Sequence, residues 1–232
     1  MKIVVLAISK KLNGYCVAGK EIRGDGSAGP WVRPITRHRE HGVVWLNDMK
    51  YPDGSLPRLL DIVEIPFEPD RADGPAYQTE NQWVLRQPWT KVGRIEKGQV
   101  DRIAKLEDTP EHLWVAPVAD QRNDRIPLLI AEGQVTSSLL LVRAAGLSAF
   151  QEPGFNGRGI NLRVSFRYFA GSFRLKWTIQ GRLRDESLAL LPPFGKAMIS
   201  DRPVWVCVSL GEPYGGDAYR LAAAVIGPDF PV

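Results

Sequence analysis

Cysteine is nearly absent from this chain. Cys16 and Cys207 are the only two among 232 residues, and each stands inside an apolar run. Two such residues make no disulfide framework, which excludes the small cross-linked secreted scaffolds and makes a reducing cytoplasmic setting the simplest one. No Cys-x-x-Cys pair occurs, and the three histidines (His38, His41 and His112) assemble no zinc pattern with the cysteines. His38 and His41 have no carboxylate or cysteine at ligand spacing on a predicted element, so no metal is expected there. No window approaches the roughly 18 apolar residues of a membrane-spanning helix. The opening MKIVVLAISKK is too short for a secretory leader. Nucleotide fingerprints are missing too. The first strand is not followed by Gly-x-Gly-x-x-Gly, and the glycine-rich run Pro153–Gly159 lacks the closing Gly-Lys-Ser/Thr of a phosphate loop. No cofactor is implied.

What the chain does have is an alternating pattern, sharpest in Ser165–Arg184, SFRYFAGSFRLKWTIQGRLR. Val164, Phe166 and Tyr168 share one side of an extended run. After Ala170-Gly171, so do Phe173, Leu175, Trp177 and Ile179. Side chains on a strand alternate between faces, so this is a hairpin with one apolar face. Its other face carries Arg163, Arg167, Arg174 and Lys176, and Arg182 and Arg184 extend the series. Such a face is either the solvated outside of an antiparallel sheet or a seat for a polyanion, nucleic acid above all.

Eighteen prolines and 22 glycines spread along the chain predict many turns between short elements, with few helices. Lys2–Ser9 reads as a buried strand, turned at Asn13-Gly14 into a second run at Tyr15–Gly19. Further strands are expected at Trp31–Ile35, Leu59–Phe67, Trp83–Leu85, Ser137–Ala144, Val204–Leu210 and Tyr219–Ile226. Gly98–Leu106 has helical spacing. Thr109-Pro110 offers an N-cap and first-turn proline for another helical turn. The polar run 120–124 reads as a linker. Two tandem small barrels, residues 1–118 and 119–232, each with about five strands, are the most economical architecture.

Several short motifs together resemble one family. Lys2–Ala7 with Ser9 and Lys11, Cys16–Lys20, Trp31–Pro34, Pro57 with Leu59–Val63, and Ser209–Pro213 followed by Tyr219–Leu221 are similar to the bacterial dual OB-containing domain proteins. The resemblance implies a mainly β fold of two tandem OB-like barrels with a few short helices. It also implies nucleic-acid or nucleotide binding and a role in prokaryotic defence. It carries no catalytic residues.

The sequence supports little enzyme chemistry. Cys16 sits between Tyr15 and Val17 as an inert apolar thiol would. Ser9 and Lys11 lack an oxyanion site. Asp61 and Glu64, three apart on a strand, face opposite ways. The expectation is a non-enzymatic nucleic-acid-binding module using Arg163, Arg167, Arg174, Lys176 and Arg182. The alternatives are a nucleotide or small-molecule sensor with a pocket between the barrels lined by Ser9, Lys11, Cys16, Trp31 and Arg33, or a scaffold whose basic face docks an acidic protein partner. Trp31 and Arg33 share a face. They either stack a base and hold a phosphate, or pack in a core with Arg33 paired to a carboxylate such as Asp61 or Glu64. Trp31, Trp45, Tyr51, Trp83, Trp89 and Tyr214 lie in or next to loops and are the candidate stacking rings.

Overall fold

A computed structural model describes residues 1–11, 13–154, 159–178, 196–200 and 202–227. The chain divides into two compact units, Met1–Leu106 and Glu107–Pro231. The polar run 120–124 belongs to the second. The expected mainly β architecture is found, as one curled half-barrel sheet and one closed five-strand barrel with few short helices.

In the first unit, β1 (Lys2–Lys11), β2 (Gly14–Ile22) and β3 (Ala28–Ile35) form an antiparallel meander. Its first turn falls where Asn13-Gly14 placed it. Helix α1 (Leu46–Met49) leads to β4 (Asp61–Glu64) and β5 (Phe67–Arg71). Strands β6 (Asn81–Val84) and β7 (Thr90–Arg94) follow, then helix α2 (Val100–Ala104) within the expected 98–106 window. The sheet order is β5-β6-β3-β2-β1-β4-β7, with β6 parallel to β3. Strands β4 and β5 lie toward opposite ends of this path, bonded to β1 and β6 respectively. Only Ile65-Pro66 separates them. So short a link spans at most about 11 Å, so the sheet must curl to bring its ends together. Ile3, Val5, Val17, Val32, Val63 and Trp89 fill the concave side.

Asp61 anchors that curl. Its carboxylate is buried and accepts from the Tyr51 hydroxyl at 3.2 Å and the Arg58 backbone N–H at 3.0 Å. It also pairs with Lys91 at 2.8 Å and Arg94 at 3.3 Å. Burial, then the Asp61 charge, pushes the Tyr51 hydroxyl far above its ordinary range, so it stays a donor.

The second unit opens with β8 (Arg125–Pro127) and helix α3 (Leu128–Gln134), the latter not anticipated from spacing. Its barrel strands are β9 (Leu139–Pro153), β10 (Ile160–Tyr168) and β11 (Gly171–Trp177). After β12 (Lys196–Ser200) come β13 (Val204–Tyr214) and β14 (Asp217–Ile226). Hydrogen bonding runs β9-β10-β11-β14-β13 and back to β9, with β11 and β14 parallel. Strand β9 can pair on both sides because it bends at Gly146, where φ is +64° and the register with β10 shifts. Phe166 and Phe173 face each other inside, ring centroids 5.7 Å apart, among Val142, Val164, Leu175 and Val206.

The helical turn expected at Thr109-Pro110 does not form. The segment's backbone bonds go elsewhere. The Asp108 N–H donates to Leu141 O at 2.7 Å, the Asp108 carboxylate accepts from the Leu141 N–H, and Pro110 O accepts from the Tyr168 hydroxyl at 2.5 Å. Leu113 O and Val115 O accept from Arg220.

Arg220 points into the barrel, 1 % exposed, with its guanidinium 5.7 Å from the Phe173 ring centre. It donates to the carbonyls of Leu113 (2.7 and 3.0 Å), Asn123 (2.9 Å), Arg125 (3.1 Å) and Val115 (3.4 Å). Burial lowers its pKa to about 10, opposed by the nearby Asp124 charge, so it remains a cation at neutral pH. Replacing it strands several buried acceptors. Arg220→Met is expected to lower the unfolding free energy by about 3 kcal/mol or more in a urea titration. Arg220→Lys, which keeps the charge but not the fork, should recover only a minor part of it.

Candidate nucleic-acid interface

The outer face of the β10–β11 hairpin is a ladder of three rungs: Arg163 opposite Lys176, Ser165 opposite Arg174, and Arg167 opposite Ser172. The burial pattern puts Leu162, Val164, Phe166, Tyr168, Phe173, Leu175 and Trp177 inside, so alternation delivers all four cations to one side. The apolar face predicted from the sequence is the barrel lining.

The four cations differ in what they meet. Glu152 of β9 lies 2.6 Å from the Arg163 Nε as an ion pair, pairs closely with Arg174, and lies 3.6 Å from Arg122. Asp124 takes a second Arg163 nitrogen at 3.3 Å and the Arg125 Nε at the same distance. Arg174 also lies 4.4 Å over the Phe150 ring. Arg163 is thus clamped between two carboxylates. By contrast, Arg167 and Lys176 are exposed and make no ion pair among the described residues. Arg182, with Arg184, lies outside the described residues.

Beyond β11 the same outer side continues onto β14. Lys176 is in register with Leu221, and two residues back Tyr219 also faces outward, about 7 Å along the strand. The Arg125 guanidinium covers the Tyr219 ring at 4.9 Å. Tyr214, at the β13–β14 turn, is 72 % exposed with its ring 6.5 Å from Tyr219. Segment 122–125 fills the space between the strands. Arg122 O accepts from the Arg174 N–H and Asp124 O from the Arg220 N–H, each at 2.8 Å. A cleft of 550 Å³ opens beside it, lined by Val118, Arg122, Arg125, Asp217 and Arg220.

The sequence-derived ligand set of the first unit lies together on one sheet face. Ser9 is opposite Cys16, Lys11 opposite Gly14, and Lys20 opposite Trp31, with Arg33 two residues further along β3. Their surroundings leave little for a ligand to touch. Trp31 and Arg33 are buried, and Arg33 pairs with Glu80 at 2.9 Å and bonds Asn81 at 3.3 Å. The counter-ion is Glu80, a loop residue, in place of Asp61 or Glu64. Lys11 donates to His41 O at 3.0 Å, Ser9 is buried, and Cys16 is a half-buried free thiol.

Of the candidate stacking rings, Trp31, Tyr51 and Trp89 are buried, Trp31 within strand β3 and the other two on loops. Trp83 is partly buried under Arg37. Trp45 and Tyr214 are exposed. The sequence reading missed Glu152 and Asp124, the carboxylates that decide which arginines are available. Phe150 and Glu152 alternate at the end of β9 in the pattern that marks the hairpin, which was the one local signal.

A buried ion pair that loses one partner costs about 3–5 kcal/mol. Glu80→Gln is therefore expected to destabilise the first unit by that order in chemical denaturation.

The family model described as dual OB-containing domain matches residues 1–225. No curated protein and no solved structure matches the chain.

Proposed function

The chain belongs to the dual OB-containing domain family, and from that premise we propose that it is a binding module for single-stranded or structured nucleic acid, with its contact surface on the second unit. OB barrels bind oligonucleotides across their second and third strands and the neighbouring loops. In this barrel those strands are β10 and β11. The observation that carries the reading is that this outer face holds two exposed cations with no ion pair among the described residues, Arg167 and Lys176. An exposed tyrosine, Tyr214, lies on the same side.

The division of labour follows from the charges. A phosphate that approaches Arg163 must compete with Glu152 and Asp124 for a cation already satisfied at short range. Exchange of one anion for another there gains little. Arg167 and Lys176 give up only water and counterions, and releasing counterions is the main source of affinity for a polyanion. Arg174 and Arg122, half-engaged with Glu152, are intermediate. A base stacked on Tyr214 contributes about 1–3 kcal/mol.

Fluorescence anisotropy with single-stranded DNA, single-stranded RNA and duplex DNA at two salt concentrations tests this. Some four phosphate contacts imply a log–log salt slope of about −3 for a single strand. Arg167→Glu/Lys176→Glu should roughly halve that slope and abolish tight binding. Glu152→Gln should strengthen binding and steepen the slope, since it releases Arg163 and Arg174. Tyr214→Ala should weaken binding about tenfold with the slope unchanged. Binding that is absent, insensitive to salt, or untouched by the double variant would sink the reading.

A further inference from the structure

The first unit holds a cleft of 580 Å³ between the end of β3, helix α1 and the β6–β7 loop. Its volume is that of a small-molecule site, which runs to about 300–1,000 Å³. Arg39, Lys50 and Arg86 line it with three fixed positive charges, and His38 adds a titratable one. One carboxylate faces them, and it is heavily committed. Asp48 accepts from the Trp45 N–H at 2.8 Å, meets His38 at 3.4 Å and lies 3.8 Å from Arg39. That contact is made by the Arg39 Nε, which is buried and has no hydrogen-bond partner. The Arg39 guanidinium lies 3.7 Å from the centre of the Trp45 ring. Lys50 and Arg86 are exposed and make no ion pair among the described residues. Val84, Leu85, Pro52 and Pro88 supply an apolar patch beside the polar Thr36, Asn47, Tyr51 and Gln87.

We propose that this cleft binds a nucleotide-sized ligand bearing a terminal phosphate. The phosphate sits between Lys50 and Arg86, within reach of Arg39, and the ring lies against Leu85 and Pro88. Two observations point the same way: an excess of cations over carboxylates, one of the cations a guanidinium seated on an indole, and an apolar patch in the same lining. Cations gathered in one concavity repel each other, and a bound phosphate relieves that cost. The site lies wholly within Met1–Leu106, whereas the surface proposed for nucleic acid lies within Glu107–Pro231.

Calorimetric titration of the whole chain with ADP, adenosine and inorganic phosphate, at low salt, decides the matter. ADP is expected to bind at least tenfold tighter than adenosine or phosphate alone. Lys50→Glu/Arg86→Glu should weaken ADP at least tenfold at an unchanged melting temperature, while Arg167→Glu/Lys176→Glu leaves it unaltered. Equal binding of adenosine and ADP, or no binding of ADP, would overturn the proposal. So would loss of ADP in the Arg167/Lys176 variant alone, or displacement of ADP by an oligonucleotide at stoichiometric concentration, which would make the cleft part of the nucleic-acid path. The adenosine comparison needs no variant, so a misfolded mutant would not shield the idea.

Discussion

The fork of Arg220 ties strand β14 of the second unit to the irregular chain that precedes β8. A guanidinium that leaves water loses far more than any single hydrogen bond returns, so it is buried only when its donors are met. Here they are met by carbonyls of Leu113, Val115 and Asn123, in irregular chain, and of Arg125 at the start of β8. The bargain runs both ways. The first three carbonyls have no helix or sheet to satisfy them, and the arginine supplies the donors that let segment 113–123 stay irregular and still be packed. With that segment in place, Asp124 and Arg122 reach the outer face, and β8 lies against β14. The electrostatics of the candidate interface therefore depend on a residue that never reaches it.

The first unit solves the matching problem with a charge of the other sign. Asp61 is buried where the curled sheet must bend, and a hydroxyl, a backbone amide and two cations surround it. Arg33 and Glu80 form a second enclosed pair. In both units, then, many of the charges that look available in the sequence are structural, and pairing is what separates them from the rest. Arg163 and Arg33 are clamped. Arg167, Lys176, Lys50 and Arg86 are exposed without an ion pair among the described residues. A chain with 30 basic and 26 acidic residues has only a small net charge. Its ability to attract an anion lies in where the pairing leaves off.

Alternation alone determined a good deal of this protein. Val164 to Trp177 could only be a hairpin with its aromatic side inward, because a period of two admits no helix. Asn13-Gly14 marked the first turn, and the β-branched run at Lys2 marked a buried strand. A family resemblance, spread over short motifs, named the barrel type. These features are legible because they are local: each depends on residues within a few positions of one another.

What the tertiary structure alone decided is which of those residues are spoken for. Arg220 sits at an inward position flanked by Ala218 and Ala222, a spacing that leaves room for a long side chain, yet its partners lie about a hundred positions away. Glu80 meets Arg33 across 47 residues, and Glu152 reaches Arg163 and Arg174 only after β9 pairs with β10. Thr109-Pro110 carries a helix signal, but tertiary donors and acceptors claim the segment's backbone first. Ion pairing and burial are set by distances in space, and those distances exist only once the strands have chosen their neighbours.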